Sequence, residues 1–183
     1  MLKKNGVSIK DETIENKTGS KLTVRYQLEV KLNSDETKNE LLVIMMNPSR
    51  ATTKISDRTV NKVIKIACEE GYKKLIVLNS LPFYETKSQK LNKIIKSVEK
   101  SVRDEVLENN FKEIKNRVFN LNGYILLATG NPKIKITKIW MNKVYELLDG
   151  KEGYIYKKNE DGYYAHPLYQ KNIKKINFEV PNT

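Results

Sequence analysis

The chain of 183 residues has one cysteine and one histidine, and each scarcity removes a class of function. Cys68 alone excludes an intramolecular disulfide and any cysteine-rich metal site. It falls in a helix-like stretch between Ala67 and Glu69 and reads as a core or half-buried thiol. His166 has no His, Cys or carboxylate neighbour at metal-ligand spacing, so no zinc site is expected. No Walker loop, GxGxxG, GxSxG or HExxH occurs. Nucleotide hydrolysis, dinucleotide redox chemistry and the common hydrolase classes therefore lack support, and no cofactor is expected. No apolar run approaches the roughly 20 residues that span a bilayer. The opening Met1-Leu2-Lys3-Lys4-Asn5-Gly6 lacks the apolar segment of a secretion signal, so a cytosolic protein without a membrane partner is the expectation. Internal repeats and low-complexity linkers are absent too. With 39% hydrophobic residues the length suits one domain, 1–183, with a real core.

Positive charge is what the chain has in excess. Lys and Arg total 34 against 22 Asp and Glu, a net charge of +12. That balance favours a polyanionic partner such as nucleic acid or nucleotide. A lysine-, asparagine- and isoleucine-rich chain also follows from an AT-rich genome whose solvated faces default to lysine. Basic clusters at 87–100 and 171–175 carry no aromatic interleaving, so neither marks a single-strand binding track by itself.

Period-two alternation over Leu22-Thr23-Val24-Arg25-Tyr26-Gln27-Leu28-Glu29-Val30 predicts an antiparallel edge strand. The residues from Asn33 to Glu40 read as a polar hairpin turn. Three continuous apolar runs then predict buried strands: Leu41 to Met46, Lys74 to Ser80 and Tyr124 to Thr129. Between Asp57 and Gly71, residues Val60, Val63, Ile64, Ala67 and Cys68 recur at helical spacing, with Gly71 where a helix should stop. A long charged helix is predicted over Val98 to Phe119, another over Thr137 to Leu148, and a short strand at Tyr154-Ile155-Tyr156. Segments 48–57 and 80–96 read as loops long enough to shape a pocket. The alternation of strands and helices predicts an α/β fold, three layers with a mostly parallel central sheet.

Each buried run ends in polar punctuation: Asn47-Pro48-Ser49, Asn79-Ser80-Leu81-Pro82 and Thr129-Gly130-Asn131-Pro132. Parallel strands bring such ends to one edge, where open α/β sheets bind ligands. Pro48 ends pairing and holds Asn47 and Ser49 in place. An asparagine offers donor and acceptor side by side, so Asn47 and Asn79 suit a base edge or a ribose. Asn, Ser and Pro also dominate plain turns, and Ser49 or a nearby Thr also suits a helix cap. Asp57 is the carboxylate nearest the first strand end and equally a cap for the helix near Thr59. His166, its backbone pinned by Pro167, is the sole imidazole, and alternatively a histidine packed by Tyr163, Tyr164 and Tyr169.

Together, Met46-Asn47-Pro48-Ser49, Asp57-Arg58-Thr59, Gly71-Tyr72, Asn79 with Pro82-Phe83, and His166-Pro167-Leu168-Tyr169 resemble the bacterial and phage family known as domain of unknown function 1643. The resemblance spans Arg25 to Tyr169, and the family has no settled activity. The chain departs from it at Arg50, where the family has Thr, and at Thr129-Gly130, where it has Trp-Gly. A more distant resemblance joins the strand into Asn47-Pro48 and the late His166-Pro167 to the two signature segments of the uracil-DNA glycosylase superfamily. That resemblance implies a glycosylase-like sheet, with Asn47 orienting a water, His166 stabilising the departing base anion and Phe83 stacking on the base.

The expectation is thus a protein that recognises a nucleobase in nucleic acid or a nucleotide, with N-glycosidase chemistry carried by Asn47, His166 and Asp57. Ligand contacts are expected from Pro48, Ser49, Arg50, Thr59, Asn79, Phe83, Thr129, Gly130, Asn131 and Tyr169. The alternatives are a non-catalytic binder of a nucleotide-derived signalling molecule, gripped by Arg50 and nearby lysines, and a plain basic nucleic-acid-binding module. The oligomeric state stays open, a homo-oligomer included.

Overall fold

The computed structural model describes residues 4–32, 38–48, 57–85, 87–168 and 170–181. Their elements are β1 (Lys4–Glu15), β2 (Lys21–Leu32), β3 (Lys38–Met45), α1 (Arg58–Glu69), β4 (Tyr72–Asn79), α2 (Ser88–Ser97), α3 (Lys100–Phe119), β5 (Gly123–Leu127), α4 (Lys135–Leu148), β6 (Glu152–Ile155) and β7 (Lys174–Asn177). The strands form one sheet in the order β1-β2-β4-β3-β5-β6-β7.

The apolar runs occupy its centre because they are apolar on both faces. Leu41, Val43, Met45, Leu75 and Val77 pack with Val60, Val63, Ile64 and Ala67 of α1. Their alternates Leu42, Ile44, Ile76 and Leu78 pack with Ile114 and Val118 of α3 and Met141 and Val144 of α4. Helices thus cover both faces, and each aliphatic side chain so buried contributes roughly 1.5–3 kcal/mol. A third cluster joins Val24 and Phe83 to Leu91 and Ile95 of α2, Val106 and Leu107 of α3, and Trp140 of α4. Asp57 caps α1 by accepting from Val60 N at 2.8 Å. The helix stops where Gly71 takes a φ of 76°, its N–H donating to Cys68 O at 3.1 Å.

Several expectations need correction. The sheet is mixed: β3–β4, β3–β5 and β5–β6 are parallel, but β1–β2, β2–β4 and β6–β7 are antiparallel. β2 is not an edge strand, since β1 pairs along its outer side. β2 and β3 do not pair as the expected hairpin, because β4 lies between them; residues 33–37 of the expected turn fall outside the described set. The helix expected from Val98 starts at Lys100, after Val98 and Glu99 adopt extended ψ values of 141° and 143°. The expected loop 80–96 contains α2, whose Leu91 and Ile95 are 2% exposed. Among the described residues no helix is long and apolar enough to cross a membrane.

Candidate functional site

Parallel pairing of β3, β4 and β5 brings their carboxyl ends together, and main-chain bonds lock the junction. Ser80 N donates to Met45 O and Leu81 N to Met46 O, both at 2.9 Å. Ser80 Oγ adds a bond to Met46 O at 2.9 Å, and Ala128 N donates to Ile44 O at 2.9 Å. The crossover from β3 to its parallel neighbour β4 turns the amino end of α1 toward this same edge, which delivers Asp57 to it.

Asn79 ends β4 on the face of Leu75 and Val77, the face that α1 covers. It is 0% exposed, yet among the described residues neither Nδ2 nor Oδ1 has a hydrogen-bond partner. Burying an amide without partners costs roughly 1–3 kcal/mol per group. The main chain beneath it is held from the other side of the sheet. Asn110, itself 0% exposed on α3, donates through Nδ2 to Asn79 O at 2.8 Å and to Ser80 O at 3.3 Å.

Asp57 spends Oδ1 on the helix cap, while its Oδ2 is buried without a partner among the described residues. Its charge acts on both Arg25 and His166. Burial pushes the His166 pKa below the ordinary imidazole value, and the Asp57 charge partly opposes that shift. The ring is thus favoured in its neutral form. Leu168 N donates to His166 Nδ1 at 3.3 Å, which places the proton of that neutral ring on Nε2. Gly130 holds a φ of 72° against this histidine, and a Cβ there would lie 3.3 Å from His166 Cβ. Its N–H donates to Tyr164 O at 2.8 Å, tying the end of β5 to the chain that carries the histidine.

Arg25 is the group that sequence reasoning missed. It is 0% exposed, and its guanidinium lies 5.0 Å from the centre of the Tyr84 ring. Burial pulls its pKa down, opposed by Tyr84, Asp57 and Asp11. Its position depends on a bulge. Asp11 pairs with Arg25 but Lys10 with Gln27, so the β1–β2 register slips at Tyr26. Val24 and Tyr26 consequently pack on the α3–α4 side and Leu28 on the α1 side, which leaves Arg25, opposite in parity to Val24, facing Asp57. The available signal was composition: only five of the 34 basic residues are arginine, and one sits inside an alternating strand.

Other expected residues divide between support and other duties. Asn47 donates through Nδ2 to Glu85 O, bracing the β3 end against the loop after β4, with buried Pro48 next to it. Thr59 is 9% exposed in the first turn of α1. Three expected contacts are placed away from this face of the edge. Phe83 packs within the cluster of α2, α3 and Trp140, on the side of the sheet opposite α1. Thr129 does not reach the site, because its hydroxyl pairs with Tyr145 OH at 2.8 Å on the opposite face. Asn131 is committed elsewhere, to Asp161 Oδ2 at 2.5 Å and Asn159 Nδ2 at 2.6 Å. Ser49, Arg50 and Tyr169 lie outside the described residues. Among the described residues, no group of three or more His, Cys, Asp or Glu is placed to hold a metal ion.

The groups on this face are a neutral imidazole N–H donor, a buried cation, and a carboxylate oxygen and an amide that have no partner among the described residues. Such a set can bind a polar planar edge, accept a proton from water and stabilise a developing anion. No curated protein matches the sequence. The profile of a family of proteins of unknown function, DUF1643, matches residues 25–168, from the buried arginine to the turn that fixes the histidine, and the chain belongs to that family.

Proposed function

We propose that the edge formed by β3, β4 and β5 recognises a nucleobase in a nucleotide or nucleic acid and that its groups hydrolyse the N-glycosidic bond. The observation that carries this reading is the buried Asn79 amide, which has no hydrogen-bond partner among the described residues. A base edge with an acceptor and a donor side by side satisfies both atoms at once and removes the cost of leaving them unpaired.

In this reading a water attacks C1′ of the sugar and its proton passes to Asp57 Oδ2. The C1′–N bond breaks with its electron pair leaving on the base, and His166 Nε2–H donates to the resulting anion. A neutral imidazole serves here as a donor without delivering a full charge, which agrees with the lowered pKa of His166. Asn47 shapes the site by bracing its loops. A non-catalytic version, in which the same groups only hold a nucleotide-derived molecule, is favoured by one feature, the buried Arg25 cation beside the site.

The test is mass-spectrometric measurement of free base released from a pool of DNA, RNA and nucleotides by the wild type, Asp57→Asn and His166→Ala. Release by the wild type alone is the expected result. An intact nucleotide retained without release shifts the reading to a binder. Neither release nor retention overturns both.

A further inference from the structure

Away from this site, α2, α3 and α4 enclose an open groove of about 520 Å³. Its floor is aliphatic, from Ile95, Ile134, Ile136 and Ile139, and its rim carries Lys96, Arg103 and Lys135. Among the described residues no carboxylate lines it. Ile139 is 47% exposed, one of two large hydrophobic side chains exposed to that degree among the described residues. We propose that this groove docks an acidic amphipathic helix of a partner protein, its leucine-like face on the isoleucines and its carboxylates on the three cations.

Three observations select this occupant. Among the described residues the lining has no aromatic side chain and so no stacking platform for bases. One side is open to solvent, whereas an acyl chain is best served by enclosure on nearly all sides. A helix laid apolar face down leaves its far side in water and meets a groove through anchors at i, i+3, i+4 and i+7. A second copy of this chain is disfavoured by its net charge of +12.

The cations also stand where the fold itself gains least from them. Lys135 opens α4, whose first turn has no acidic residue and whose cap, Ile134, supplies no side-chain bond. A positive charge at the positive end of a helix is unfavourable for that helix, and a partner's carboxylate reverses the effect. Arg103 pairs through Nε with the exposed Asp104 at 3.2 Å.

The probe is a labelled synthetic helix with leucines at i, i+3, i+4 and i+7 and glutamates elsewhere, titrated with the whole protein by fluorescence anisotropy. Saturable binding that weakens with salt is expected, reduced at least about tenfold in Ile139→Glu and in Lys135→Glu. Neither variant should unfold the protein, since Ile139 is half exposed and Lys135→Glu improves the charge at the start of α4. A probe with lysines in place of the glutamates should bind Lys135→Glu better than wild type. Absence of binding, or binding indifferent to both substitutions, overturns the proposal. So does competition in which dodecanoate or a single-stranded oligonucleotide occupies the groove and the acidic helix does not.

Discussion

Two buried polar positions at the same end of the same sheet have opposite fates. Thr129, following β5, has its hydroxyl paired with Tyr145 OH, which also accepts from Tyr164 N at 2.9 Å. Asn79, at the end of β4, is as deeply buried, and its side chain has nothing to pair with among the described residues. The first is architecture: every group is satisfied, and the network joins β5, α4 and the chain leading to His166. The second, among the described residues, is a standing cost to the fold. The two faces of one sheet edge therefore differ in whether their buried polar side chains are paired among the described residues.

The largest effect that breaks this comparison lies in the chemistry. Asp57→Asn keeps a good helix cap but removes the carboxylate, so base release should fall about 10²–10⁴-fold while thermal stability stays within about 0.5 kcal/mol. Steady-state rates beside a melting curve check it, and equal losses in both would return Asp57 to a purely capping role.

Next in size is Tyr145→Phe on the satisfied face. It leaves the Thr129 hydroxyl and the Tyr164 N–H unpaired in the core and should cost about 2 kcal/mol in denaturant unfolding. Base release per folded molecule should be nearly unchanged.

Asn79→Leu sharpens the contrast through its sign. Replacing a buried amide that has no partner among the described residues with a side chain of similar size should raise stability by about 1 kcal/mol and abolish retention of the base-bearing ligand. A destabilised variant would show that the amide has partners that matter to the fold.

The smallest effect is the pH dependence of His166. Its folded pKa lies below the ordinary 6.5 of the unfolded chain. As pH falls through about 6.5 the unfolded chain takes up the proton first, so stability is full above that value and declines below it until the folded ring also protonates. His166→Gln should flatten that part of the stability profile in urea melts at a series of pH values.

The centre of the fold was legible because its signals are local. Leu41 to Met46, the Leu75–Asn79 stretch and Tyr124 to Leu127 are too apolar to lie anywhere but between two helical layers. Asp57 before a periodic stretch and Gly71 after it mark α1 at both ends. α2 was obscured by lysines, although Leu91, Ile94 and Ile95 already stand at helical spacing. β1 and β7 carry too few apolar residues to announce themselves. Placing β2 beyond β4, rather than beside β3, required knowing which strand pairs with which.

The same division runs through the candidate site. The sequence by itself determined that polar residues close three buried strands, that Asp57 starts a helix and that one histidine is present for any imidazole chemistry. Those properties belong to short stretches and follow from side-chain type and spacing. Only the tertiary structure decided which of those polar groups share a face. It sent Phe83 and Thr129 to the far side, brought Asp57 near His166 and left Asn79 without a partner among the described residues. It also turned Arg25 toward Asp57 through a one-residue slip between β1 and β2. Side-chain direction in a strand reverses with each residue, so one bulge or a change of neighbour moves a group across the sheet, and the partner that decides this is far away along the chain.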